Sequence, residues 1–133
     1  MNNTSKQTGD EAERVVAAYL IGKGWTISEA NYHCRRGEID LVAKIGFTLV
    51  FVEVKSGRNE HFGSPALRVN LSKQKKLIRA AQTYLQSHSL DGFEEIRFDV
   101  VSLTQTRNSE WKINHIEDAF RPVSPDESEG LGQ

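Results

Sequence analysis

The chain has 133 residues, a formal net charge of −1, 38% apolar and 26% charged residues, the make-up of one domain that buries a core without disulfides or structural metal. The polar start Met1–Gln7, the lack of any bilayer-length apolar run and the single cysteine, Cys34, exclude a signal peptide and a membrane span and predict a cytoplasmic protein. The near-neutral charge excludes coating of nucleic acid by bulk electrostatics, so any such contact requires a local basic patch.

The first predicted element is a helix from Thr8 to Ile21, with Ala12, Val16, Tyr19 and Leu20 as its apolar stripe and Gly22 and Gly24 as its stop. A strand follows around Trp25–Tyr32. Glu38–Lys44 and Thr48–Lys55 alternate as two strands around the short turn Ile45-Gly46-Phe47. A loop marked by Gly and Pro covers Ser56–Pro65. Leu71–His88 is the clearest helix, with Leu77, Ile78, Ala81, Tyr84 and Leu85 on one face. Ile96–Leu103 and Trp111–Ile116 read as two further strands, and Glu117–Phe120 as a final turn of helix. The order α-β-β-β-α-β-β predicts an α/β fold, a mixed β-sheet flanked by helices. Residues 8–121 form the single domain, 1–7 a flexible N-terminus, and 122–133 a disordered tail whose Asp126, Glu127 and Glu129 have no basic counterpart.

Charge inside the central hairpin is the unusual feature. Glu53 and Lys55 fall within Leu49-Val50-Phe51-Val52-Glu53-Val54-Lys55, which otherwise reads as a central strand. Alternation puts them on the face of Leu49 and Phe51, and puts Glu38, Asp40 and Val42 on one face of the preceding strand. A turn centred on Gly46-Phe47 sets Asp40 opposite Glu53 and Glu38 opposite Lys55. Two carboxylates that close repel unless something positive lies between them. A hard divalent cation does this, and Mg²⁺ takes one or two carboxylates plus phosphate oxygens. Glu13 and Gln74 each lie on the apolar stripe of a predicted helix, near its N-terminal end, and so are expected to converge on the same pocket.

Asp40, followed after twelve residues by Glu53-Val54-Lys55, has the form of the PD-(D/E)xK nuclease signature. Around it, Tyr19-Leu20, Gly24-Trp25, Asn31-Tyr32, Arg35-Arg36-Gly37-Glu38-Ile39-Asp40-Leu41, Phe62-Gly63-Ser64-Pro65, Lys73-Gln74 and Arg97-Phe98-Asp99-Val100-Val101 fit one pattern. With these residues the chain resembles the small bacterial YraN-type family of predicted endonucleases, similar in fold to archaeal Holliday-junction resolvases. It departs at Ala12, where that pattern usually has Gly. The resemblance implies a restriction-endonuclease-like fold, DNA as partner and Mg²⁺ (or Mn²⁺) as cofactor. It also implies a homodimer, since junction-resolving enzymes are symmetric dimers. By position, Asp40 and Glu53 look like the metal pair, completed by Glu13, with Lys55 as catalytic lysine and Gln74 as supporting polar residue. The competing reading is a non-catalytic module that binds nucleic acid or protein on the same fold.

Arg35, Arg36, Arg58, Lys73 and Lys76 are the candidate nucleic-acid contacts, a rim of cations around that pocket. His33, His61, His88 and His115 lack the spacing of zinc ligands. Trp25, Trp111 and Tyr84 read as core. Asp99, embedded in a strand, is expected to pair structurally and stays outside the site.

Overall fold

The computed structural model describes residues 5–57, 69–89 and 91–122, with side chains from Asp10 onward. Residues 1–4 of the expected N-terminal segment, the loop residues 58–65 with Arg58 and His61, and residues 123–133 of the expected tail lie outside them. The elements are α1 (Ser5–Gly22), β1 (Thr26–Cys34), β2 (Gly37–Ile45), β3 (Thr48–Gly57), α2 (Leu71–Ser87), β4 (Glu95–Gln105) and β5 (Trp111–Phe120). They build a five-stranded sheet in the order β1-β2-β3-β4-β5. All neighbours are antiparallel except β3 and β4, which run parallel because α2 carries the chain across between them. No helix among the described residues is long and apolar enough to cross a membrane.

Local chemistry explains the boundaries. α1 closes where Gly24 takes φ 91°, letting the Trp25 amide donate back to the Leu20 carbonyl at 3.0 Å. The β2–β3 turn rests on Gly46 at φ 58°. Asn70 caps α2, its side chain accepting from the Lys73 amide at 2.9 Å. The helices cover opposite faces of the sheet. Val50 and Val52 of β3 pack under Ala12, Val16 and Leu20 of α1, together with Trp25. Leu49 and Phe51, the alternate residues, pack under Ala80, Ala81 and Tyr84 of α2. Buried on both sides, β3 is apolar from Leu49 to Val52. Ala12 is itself fully buried in the α1 contact, so a methyl group is accommodated there.

Two expectations are corrected. Glu117–Phe120 is not helical: β5 runs on to Phe120, past a register shift opposite Phe98 and Val100 and with Asp118 at φ 55°. Two contacts hold it extended. The Phe120 ring stacks on Phe98 at 5.1 Å, and the Asp118 amide donates to the Asp99 carboxylate at 3.0 Å. Strict alternation also fails in β2. Leu41 and Ala43 pack on the α1 side, but Ile39 shares the α2 side with Val42, so the strand changes its facing at Asp40.

Asp99 pairs structurally, as expected. Fully buried, it accepts from Arg97 at 2.8 and 2.9 Å and from the Asp118 amide, with His115 Nε2 at 2.8 Å. Burial alone would push its carboxyl up, yet the hydrogen bonds from His115, Arg97 and Asp118 outweigh that and hold it below the usual carboxylate range. Removing this acceptor strands a buried imidazole and deprives a half-buried guanidinium of its main partner. Asp99→Ala is therefore expected to lower stability by roughly 3–5 kcal/mol in urea unfolding.

Gly37, where β2 begins, packs against α2. A Cβ there would sit 3.1 Å from the Lys76 carbonyl oxygen and 3.7 Å from Ala80 Cβ. The obstructing atom is backbone, which cannot swing aside. Gly37→Ala is expected to destabilise by about 1–3 kcal/mol, read from the same unfolding curves.

Candidate functional site

The site begins where β2 parts from β3. Their ladder runs from Ile45↔Thr48 to Leu41↔Val52, in the register that sets Asp40 opposite Glu53. The ladder itself ends at Leu41↔Val52, one position short of Asp40 and Glu53. The Val54 amide instead donates to Asp40 Oδ2 at 2.7 Å, a side chain replacing a strand carbonyl. The expected pairing of Glu38 with Lys55 is therefore not made. Glu38 lies opposite His33 of β1, and its Oε2 is 3.1 Å from His33 Nδ1.

Because the strands fork at Asp40, this residue neighbours carboxylates on both sides of the sheet. Glu53 comes from β3, on the α2 face, and is only 6% exposed. Burial first, then the charge of Asp40, push its carboxyl from the ordinary 4.5 to about 8, against the opposing pull of Lys73 and Lys55. Glu13 comes from α1, half-buried beside the stripe. Burial first, then Asp40, raise it to about 7, while the Asn31 amide pulls the other way. Glu13 Oε1 is the only buried side-chain oxygen or nitrogen among the described residues with no hydrogen-bond partner. A buried carboxylate oxygen without a partner is costly in any protein.

These oxygens suit a hard cation by donor type: three carboxylates, two of them driven toward the neutral form by burial and by the Asp40 charge, one oxygen unpartnered. As the side chains stand, no three His, Cys, Asp or Glu groups among the described residues close on a common metal-holding point.

Two grooves flank the carboxylates. One, of about 730 Å³, is lined by Glu13 with Asp10, Arg14, Asn31, His33 and Glu38. The other, of about 470 Å³, is lined by Arg35, Arg36, Lys73 and Lys76 along with His33, Cys34 and Glu38. Four of the five predicted nucleic-acid contacts thus share one groove, and Arg58 lies outside the described residues. The His33–Glu38 contact divides the grooves, since both residues line each. Asp40, Glu53 and Lys55 line neither. Glu13 reaches the first and Lys73 the second.

The structure brings Glu13, Asp40, Glu53 and Lys55 together, with half-buried Lys55 close enough to relieve the charge of Glu53. It does not bring Gln74 to them. The Gln74 amide donates to the Val69 carbonyl at 2.9 Å, tying the first turn of α2 to the chain before it. The α2 residue that reaches the carboxylates is Lys73, with Nζ 3.6 Å from Glu53 Oε2. Asn31 is a second residue that the strand pattern conceals. It sits in β1 at φ 55°, a backbone Asn tolerates better than most residues, which turns its amide toward Glu13.

Comparison with known proteins gives a consistent family. The model of the uncharacterised protein family UPF0102 matches residues 12–103. A UPF0102 protein of Syntrophus aciditrophicus is 44% identical over 114 residues, 86% of this chain and 88% of that one. One from Clostridioides difficile is 43% identical over 120 residues, 90% of this chain and 100% of that one. One from Geotalea uraniireducens is 40% identical over 116 residues, 87% and 91% of the two chains. Among solved structures, one titled "Crystal structure of SSO0001" is 16% identical, covers 90% of this chain and 55% of that one, and has a TM-score of 0.37, too low to carry any argument. Matched over most of its length by that family's model and by these relatives, the chain belongs to the uncharacterised protein family UPF0102, the YraN-type family that its sequence resembles.

Proposed function

We propose that this protein is a metal-dependent endonuclease that hydrolyses DNA phosphodiester bonds, structured or branched DNA by its likeness to resolvases. The observation that carries the proposal is the Glu13–Asp40–Glu53 cluster. Two of its carboxylates are held near neutrality and one oxygen lacks a partner, beside a half-buried lysine. A structural role does not explain it: Asp99 shows how this fold satisfies a structural carboxylate, with every neighbour a donor.

Asp40, Glu53 and Glu13 are the residues that would hold Mg²⁺ or Mn²⁺. When bound, such an ion supplies charge for a phosphoryl oxygen and lowers the pKa of water. The Lys55 ammonium orients the attacking water and offsets negative charge as it builds on the phosphoryl oxygens. In-line attack by the water oxygen forms a new P–O bond and breaks the P–O3′ bond; the water gives up a proton to solvent and the leaving O3′ takes one from solvent, leaving a 5′-phosphate and a 3′-hydroxyl. Arg35, Arg36, Lys73 and Lys76 grip backbone phosphates beside the scissile one without reading bases.

Asp40→Ala and Lys55→Ala are each expected to lower Mg²⁺-dependent cleavage of supercoiled and branched DNA by ~10²-fold or more, and chelator to abolish cleavage by the wild type. Variants that cut at the wild-type rate would refute the site.

The raised carboxyls set a sign for pH. The unfolded chain ionises Glu13 and Glu53 near 4.5, whereas the folded chain keeps those protons to about 7 and about 8. Between these limits the folded state binds more protons, so it loses stability as pH rises. In chelator, wild type is expected to lose more thermal stability between pH 5.5 and 8.5 than Glu53→Gln, which has no proton to release there. Cation binding requires ionised carboxylates and should tighten across the same interval, releasing protons measurable by calorimetry in two buffers. An equal loss of stability in both proteins would overturn this account of Glu53.

A further inference from the structure

Lys73 belongs to two sites at once. Its ammonium is 3.6 Å from Glu53 Oε2, where the carboxylate is almost wholly shut from solvent while the lysine side chain keeps 38% of its exposure. It also lines the groove of Arg35, Arg36 and Lys76. No other cation in that groove pairs with a carboxylate of the cluster among the described residues. Lys73 starts in the first turn of α2, anchored by the Asn70 cap and the Gln74–Val69 hydrogen bond. The backbone at its root is therefore fixed, while its long stem can swing.

Resting on the metal-site reading above, we propose that Lys73 is an exchangeable counter-ion: without a divalent cation it holds the Glu53 carboxylate, and with one bound it is displaced into the groove, where it contacts a backbone phosphate. The electrostatics require a choice. A divalent cation and an ammonium within contact of one carboxylate repel each other, and the monovalent group is the one on a flexible tether. Once released, the ammonium joins Arg35, Arg36 and Lys76, where a polyanion stabilises it. Cation binding and DNA binding then strengthen each other, because each favours the same position of Lys73. Lys73 is on this account a positioning residue for the substrate strand and takes no part in bond breaking.

The test is the salt dependence of DNA binding, which counts phosphate contacts. A splayed-arm fluorescent DNA, offering duplex and single strands, is titrated at pH 8.5, above the range in which Glu53 keeps its proton, with wild type, Lys73→Gln and Lys73→Arg, in chelator and in Ca²⁺. In chelator, wild type and Lys73→Gln are expected to share one slope of log K against log salt. In Ca²⁺ the wild-type slope should be steeper than that of Lys73→Gln by about 0.7–0.9, one phosphate contact, and Lys73→Arg should restore it. Equal slopes in Ca²⁺, or the same difference in chelator, would overturn the exchange by making Lys73 a bystander or a permanent phosphate contact. Calorimetry of Ca²⁺ on DNA-free protein separates the two levels. If wild type binds no cation that Asp40→Asn abolishes, the metal site and the exchange fall together. If it binds one but the slopes do not part, only the exchange falls.

Discussion

The hydrogen bond from the Val54 amide to the Asp40 carboxylate organises this molecule. Neighbouring strands ordinarily satisfy each other through backbone alone, and a buried amide must find an acceptor. Here β2 turns its facing at Asp40 and leaves β3, and a side-chain oxygen fills the place of the missing carbonyl. The fork lets one carboxylate stand beside Glu53 on the α2 side and Glu13 on the α1 side. A continuous ladder would confine Asp40 to a single face. The same exchange of partners places the charged cluster where the buried run of β3, Leu49 to Glu53, ends, so that little water screens it.

Asp99 and Glu53 make the physical contrast explicit. Both are buried carboxylates on adjacent parallel strands, Asp99 opposite Val52 and Glu53 opposite Val100. Asp99 is ringed by a guanidinium, an imidazole and an amide, and is held ionised. Glu53 faces another carboxylate and is driven toward its proton, with Lys73 and Lys55 only partly compensating. The fold is thus able to satisfy a buried acid and does so where the acid is structural. At the fork it leaves charge demand open, as the raised Glu13 and Glu53 carboxyls show.

Much of this was legible because periodicity carries it. The two helices, the central hairpin and the element order follow from apolar spacing and from glycines at turns. The hairpin register follows from Gly46-Phe47, so Asp40 and Glu53 could be set opposite one another. The end of the ladder could not be read, since Leu41 and Ile39 look alike in sequence yet pack on opposite sides of the sheet. Glu117–Phe120 departs from the expected helical turn for a related reason. Its extended path depends on Phe98 and Asp99, partners distant in sequence, and a short polar segment has no periodicity of its own.

Lys73 and Gln74 show where pattern reasoning meets its limit. They are adjacent in the first turn of α2, and the apolar stripe favours Gln74 as the inward residue because it precedes Leu77 and Ile78 by three and four positions. Near a helix N-terminus, however, polar side chains answer first to nearby unsatisfied backbone groups. The Gln74 amide is short enough to be captured by the Val69 carbonyl just outside the helix. The lysine stem is longer, which lets its ammonium reach Glu53. Side-chain length therefore decides which neighbour reaches the cluster. What arrives is a cation on a long side chain rather than an amide, and a cation is the partner a buried carboxylate needs.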